Sequence, residues 1–408
     1  MTRNTLEIPR STCRLFGTVK ALSTVKRSAI LVHGPKGCVY HINYILGMRG
    51  DRPGAIYTTS LGEHDVIFGA EGKLAEAIGE LDRRLSPDLI FVLSCCASSI
   101  IGEDVGSACR AARSRARVIG FECGGFEGEH HTAYGETLSR LAEELALPAE
   151  ERRPASVNLI GMLRAGPDLR ELKRVLSLAG IEVLGVLPAD ATLRDLEGLG
   201  RAALNVVVCE PAGRVAAETL ERRFGTPFIV EEFPIGARAA LSFLGHVTSA
   251  LGIPLDPGIF AGEPEPIHPA GEGVGLEREL RIAVVGGPTR AVSMVRFLGE
   301  QGLAPVLVAV DFDAGAGERL REFAMPGLEV LVEPSQEEIL ERLRARGVNL
   351  LIGGMFERPV AAMLGIPFLD MMHGSQRTAC FAGESELSRM IAGIRRGRSG
   401  VDGGPGSS

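Results

Sequence analysis

The stretch Ala29-Ile30-Leu31-Val32-His33-Gly34-Pro35-Lys36-Gly37-Cys38 decides the fold class. Four apolar residues run straight into a Gly/Pro turn, and a helical pattern follows. The run shows no polar alternation, so it predicts a strand covered on both faces, as strands of parallel sheets are. The same grammar recurs along the chain. Leu89–Leu93 leads to Ser94-Cys95-Cys96, and Val118–Phe121 leads to Glu122-Cys123-Gly124-Gly125. Asn205–Val208 leads to Cys209-Glu210-Pro211, and Arg281–Val285 leads to Gly286-Gly287-Pro288. Apolar strands alternating with helices of roughly ten to fifteen residues predict an α/β protein of several Rossmann-like units with parallel sheets.

Length agrees. At roughly 150 residues per domain, 408 residues make two or three domains. Glu150–Pro154 and the Pro/Gly/Glu-rich Gly262–Gly275 read as connections. Three Rossmann-like domains are therefore expected, at 1–154, 155–276 and 277–408. The last ends in a Gly/Ser-rich tail expected to be unstructured. Apolar residues make up 45% and charged residues 23%, the balance of a soluble globular protein. A net charge of −7 offers no global attraction to nucleic acid or an anionic membrane. No stretch approaches the ~18–20 apolar residues of a membrane span, and Met1–Arg10 lacks an apolar signal core. A cytoplasmic location is expected, with no nucleic-acid or membrane partner.

Eight cysteines are spread over the chain, which in a reducing compartment speaks for metal or redox chemistry before disulfides. Cys38, Cys96, Cys123 and Cys209 all fall just after a predicted strand. Ligands in open α/β sheets sit at that end. Cys13 and Cys38 are 25 residues apart, and Cys38 and Cys96 are 58 apart. These spacings match neither ferredoxin runs nor a zinc ribbon. Soft thiolates flanked by glycines suit iron–sulfur clusters, because a glycine backbone can approach a bulky inorganic group.

In these segments the sequence resembles component 1 of nitrogenase and its nitrogenase-like reductase relatives, over nearly the whole chain. The residues carrying the likeness are Ser11-Thr12-Cys13, Gly34-Pro35-Lys36-Gly37-Cys38 and Cys96-Ala97-Ser98-Ser99-Ile100-Ile101-Gly102-Glu103-Asp104. The resemblance implies the component 1 fold, with metal clusters between domains and at a subunit interface. It implies that Cys13, Cys38 and Cys96 bind an interface iron–sulfur cluster shared with a homologous β-like subunit. That cluster would be an eight-iron P-cluster-like group or a four-iron one. Cys95 is then a structural neighbour.

A second match, Cys209 with the segment Val215–Pro227, resembles the anchor of the nitrogenase-type complex iron–sulfur cofactor. Ile366–Gly374 resembles the segment whose histidine, here His373, holds the cofactor's other end. Gly286, Gly287 and Arg290 match a loop that lines it. His131, His130 and Tyr134 stand where the family places polar groups facing the cofactor, and are candidate proton donors. The resemblance further implies an α2β2 heterotetramer fed by an ATP-dependent iron protein.

Departures from the family pattern are equally informative. Nitrogenases carry a histidine four residues after the position of His131, where Gly135 stands here. The arginine that helps hold their cofactor's organic acid would fall near Leu46. Both point away from dinitrogen reduction and from a homocitrate-bearing molybdenum cofactor. Among the relatives, methylthio-alkane reductase fits best, with a small thioether as substrate. A nickel-sirohydrochlorin a,c-diamide reductive cyclase and a non-enzymatic scaffold for nitrogenase cofactor assembly are the alternatives.

Overall fold

The structure is a computed structural model that describes residues 12–48, 56–124, 128, 130–263, 279–323, 325–372 and 376–396. Its strands form three sheets, all parallel. The first holds β1 (Ser28–His33), β2 (Ile56–Thr58), β3 (Leu89–Ser94) and β4 (Arg117–Phe121), in the order β2-β1-β3-β4. The second repeats that order with β5 (Arg153–Met162), β6 (Glu182–Pro188), β7 (Ala202–Val207) and β8 (Phe228–Val230), as β6-β5-β7-β8. The third holds β9 (Ile282–Gly286), β10 (Pro305–Val310), β11 (Glu329–Val332), β12 (Leu350–Gly353) and β13 (Phe368–Asp370). Its order, β11-β10-β9-β12-β13, is that of a doubly wound nucleotide-binding sheet.

The strands behave as their composition requires. All six residues of β3 are buried, because helices cover both faces. Ala29, Leu31, Ile90 and Val92 pack against Leu74, Ile78 and Leu81 of the helix Glu71–Leu85. In the third sheet Ala283, Val285, Leu307 and Leu351 meet Ile339 and Leu343 of the helix Gln336–Ala345. Fully burying one such aliphatic side chain stabilises the fold by roughly 1.5–3 kcal/mol.

Packing divides the chain into two compact units. One comprises residues 12–165 and 181–231, with the first two sheets. The other comprises residues 166–180 and the described residues between 232 and 396, with the third sheet. The expected boundary after residue 154 falls inside β5, which starts at Arg153. A strand whose apolar run opens with Arg-Pro hides its first residues from a composition reading. The Gly/Ser-rich tail beyond residue 396 lies outside the described residues. No described helix is long and apolar enough to cross a membrane.

Candidate metal centre

In a parallel sheet the ligand crevice lies beyond the strands' carboxyl ends, where the strand order reverses. In the first sheet that point lies between β1 and β3. Both strands lead directly into cysteine-bearing turns. Gly34-Pro35 carries the chain into the helix Lys36–Met48, which holds Cys38. Cys95 caps the helix Cys96–Ile100. Register fixes their proximity, because His33 pairs with Ser94. A Cβ at residue 34 would run into Cys95 Sγ, so this position requires glycine. The Gly34 carbonyl accepts from Thr58 Oγ1 at 2.7 Å and from the Leu61 N–H at 3.0 Å, which holds the turn rigid.

Cys13 reaches the same neighbourhood by another route. It caps the helix Arg14–Leu22 and is exposed. The preceding residue is latched from both sides by His130. The His130 N–H donates to the Thr12 carbonyl at 3.0 Å, and the Thr12 N–H donates to His130 Nδ1 at 3.4 Å. Gly17 meets the His130 carbonyl so closely that no side chain fits between them. His130, a candidate proton donor on sequence, thus also anchors the start of the Cys13 helix.

The sulfurs act on one another. The neighbouring Cys38 thiol and the Ser98 groups favour the charged form of Cys95 and hold it below the ordinary thiol range. Cys95 in turn, with burial and the nearby charges of Cys13 and Cys96, pushes Cys38 well above it. Cys95 is 1% exposed, and its N–H donates to Ser98 Oγ at 2.8 Å. Cys38 and Cys96 are half-buried. Cys123, also just after a strand, is sealed in, and burial pushes its thiol up to about 12. None of the eight cysteines is in a disulfide. Among the described residues no three His, Cys, Asp or Glu side chains are set to hold a single metal ion. Soft thiolates suit an iron–sulfur group, and open space lies beside Gly37.

The second sheet repeats the device. Its reversal lies between β5 and β7, and Cys209 follows β7 as the cap of the helix Glu210–Phe224. Gly161, at φ +85°, lets β5 pass that cap, since a Cβ there would lie 2.8 Å from the Cys209 carbonyl oxygen. Gly135 packs against the same region, because an added Cβ would stand 3.2 Å from the Pro211 carbonyl oxygen. The glycine that departs from the nitrogenase pattern thus lies where the helix His130–Leu145 packs on the Cys209 helix. Leu46 is fully buried. His131 and Tyr134 begin the same helix as His130, with ring centres of His131 and Tyr134 each 5.8 Å from that of His130.

In the third sheet Gly286 ends β9 and Gly287 follows it at the reversal point. What approaches them is methionine: a Cβ at Gly286 would lie 2.9 Å from Met371 Cε, and one at Gly287 3.8 Å from Met372 Cε. Arg290 is strongly engaged. Its guanidinium lies 3.6 Å over the Phe233 ring and donates to Asp168 Oδ2 at 2.8 Å. Asp168 also accepts the Thr378 and Ala379 N–H groups at 2.7 and 3.0 Å. Asp168 is absent from any motif and lies 122 residues from Arg290, so only folding reveals the pair. His373 lies outside the described residues.

A family model described as nitrogenase component 1 type oxidoreductase matches residues 13–394. The chain belongs to this family. It is 27% identical over 392 residues to the nitrogenase iron-molybdenum cofactor biosynthesis protein NifE of Clostridium pasteurianum, covering 90% of this chain and 83% of that one. It is 27% identical over 409 residues to a nitrogenase molybdenum-iron protein beta chain of Methanococcus maripaludis, covering 88% and 86%. Among solved structures, nitrogenase Cp1 at pH 6.5 superposes with a TM-score of 0.84 at 20% identity, over 98% of this chain and 95% of that one. That likeness establishes the α/β component 1 fold.

Proposed function

We propose that this component 1 chain is the cluster-bearing subunit of a nitrogenase-like reductase that cleaves C–S bonds of small methylthio-alkanes. The observation that supports the cluster reading is that the Cys38 turn and the Cys95-Cys96 turn stand side by side at the β1/β3 reversal. Cys13, Cys38 and Cys96 would ligate a relay cluster, P-cluster-like or four-iron, shared with a homologous β-like subunit in an α2β2 assembly. Cys209 and His373 would anchor a nitrogenase-type iron–sulfur cofactor, with Gly286, Gly287 and Arg290 nearby. Such groups supply low-potential one-electron transfer and soft iron sites for a thioether sulfur. An ATP-dependent iron protein would deliver the electrons. The reaction balances as CH3–S–R plus two electrons and two protons giving CH3SH and RH.

The chain's own residues would position and protonate. His131 lies one helical turn before Gly135, which packs against the Cys209 helix, so it is well placed to donate a proton there. His130 would hold Cys13 in place, and Tyr134 is the remaining donor candidate. Location in the cytoplasm completes this reading.

A scaffold role in cofactor assembly is the second reading. It is favoured by the likeness to the C. pasteurianum protein, described as a cofactor biosynthesis protein. The two readings differ in turnover. Anaerobic protein, purified with its partner, is assayed with iron protein, ATP and ethyl methyl sulfide. Methanethiol release, with iron well above four per chain and two EPR signals, supports the reductase. Iron without turnover, released to an acceptor protein, supports the scaffold. In the reductase, Cys209→Ala is expected to lose cofactor iron and activity while keeping the relay signal. Cys38→Ala is expected to lose the relay signal and weaken subunit association.

A further inference from the structure

The end of the first sheet opposite the cysteine turns is strongly basic, on a chain whose net charge is −7. The strand starts stand side by side there, because Ser28 pairs with Leu89 and Leu89 with Arg117. Arg27 and Asp88 precede the first two, and Arg117 opens β4, the edge strand. Two helices end at the same corner. Asp82, in the last turn of the helix Glu71–Leu85, accepts the Arg115 and Ala116 N–H groups, each at 3.1 Å. These bonds draw the end of that helix, with Arg83 and Arg84, against the loop that carries Arg113 and Arg115. The helix Val105–Ala111 has Arg110 in its last turn and leads into that loop.

Few of these charges are used within the chain. Arg27 is paired with Asp88 at 2.7 Å and Arg84 with Glu80 at 2.8 Å. Arg115 stands 3.5 Å from Asp82 and keeps 75% of its side chain exposed. Arg117 donates to the Glu144 carbonyl oxygen, while the Glu144 carboxylate is paired with Arg140. Arg83, Arg110 and Arg113 are exposed and make no ion pair among the described residues. Seven arginines thus share the corner with three carboxylates, Glu80, Asp82 and Asp88. Cations in a last turn complement the helix dipole, but by only about 0.3–1 kcal/mol each, and their guanidinium forks stay open. Like charges gathered this way repel one another, and a polyanion laid over them relieves that repulsion.

The form of the corner selects among polyanions. The guanidiniums are spread over two helix ends, a loop and a strand start. The helices present their carbonyl ends here, which disfavour a compact phosphate group. Among the described residues no exposed aromatic ring lies at the corner to stack on a base. Leu85, 42% exposed, is the large apolar side chain there, too little for insertion into a membrane. Carboxylates spaced along a peptide fit forks spaced over a surface, since each fork takes one carboxylate by two hydrogen bonds.

We propose that this corner is a docking surface for an acidic segment of a partner protein. Its carboxylates meet Arg83, Arg110, Arg113 and Arg115, and an apolar residue packs on Leu85. The surface lies at the strand ends opposite Cys38 and Cys96, so the partner leaves the cysteine turns uncovered.

The test is fluorescence anisotropy on the full chain, with a fluorescein-labelled peptide of glutamates interrupted by single leucines. The peptide is expected to bind at about 0.15 M salt and to weaken as ionic strength rises. Arg83→Ser with Arg113→Ser is expected to weaken it at least about tenfold and leave the thermal melt unchanged. Arg110→Ser with Arg113→Ser, read in parallel, is expected to do the same without touching the helix Glu71–Leu85. Arg344→Ser with Arg389→Ser removes equal charge from exposed sites in the other packing unit and is expected to leave binding unchanged. Absence of peptide binding to the wild-type chain overturns the inference, as does an equal loss in all three double variants. Tighter binding of single-stranded DNA of equal charge, or of phosphatidylglycerol vesicles, also overturns it and assigns the surface to that partner.

Discussion

Asp168 gathers four donors: the Arg290 guanidinium, the Thr378 hydroxyl, and the N–H groups of Thr378 and Ala379. Burial alone would raise its carboxyl pKa, but the Arg290 charge and these hydrogen bonds outweigh burial and hold it below the usual carboxylate range. Its contribution to stability is therefore present above about pH 4 and is lost as pH falls through the lower folded value. Asp168→Asn leaves the guanidinium of Arg290 without its counter-charge and is expected to cost about 3 kcal/mol, read from urea midpoints at pH 7. The difference between variant and wild type should shrink toward pH 3. His33 follows the opposite chemistry with the same sign. Its folded ring resists protonation while the unfolded ring takes a proton near pH 6.5, so its share of stability is full above about pH 7 and is lost on acidification. His33→Gln should flatten that part of the urea-midpoint profile.

At the scale of elements, one device recurs: a parallel strand, a glycine-bearing turn, then a helix whose first residues carry chemistry. Cys38, Cys96 and Cys209 were readable as such because buried strands announce themselves as apolar runs and the turns follow at once. What periodicity could not show is which turns face each other. That depends on strand order, and the β1–β3 pairing skips β2. The glycines are the trace of those encounters. Gly161→Ala forces a positive φ on alanine and a contact with the Cys209 carbonyl, and is expected to cost about 1–3 kcal/mol. A thermal melt of the cluster-free chain measures it. Beside Gly286 and Gly287 the space is taken by the side chains of Met371 and Met372.

Across the described residues, large apolar side chains remain exposed on the helices Lys36–Met48, Glu63–Phe68 and Cys96–Ile100. Tyr40 is 76% exposed and shares a helix face with Tyr44, four residues on. Ile67, Phe68 and Ile100 are each at least 70% exposed. Such residues are costly to leave in water and are typical anchors of subunit interfaces. If the chain assembles with a homologous subunit, Tyr40→Ser with Phe68→Ser should weaken association by about 2 kcal/mol or more, while the melt of the isolated chain is unchanged. Sedimentation of the mixed subunits measures the first, and calorimetry the second.

The sequence by itself determined the α/β class, the parallel strands and the positions of the cysteine turns, because these depend on local pattern: apolar run, turn chemistry, helical period. It also carried the component 1 family, through motifs contiguous in the chain. Tertiary structure decided what lies together. It set Cys95 against the Gly34 turn, enclosed His33 with Glu103, and joined Arg290 to Asp168. It also gathered three sheets into two packing units. These outcomes turn on burial and on contacts between residues far apart in the chain, where a charge or thiol acquires its chemistry from neighbours that no local window contains.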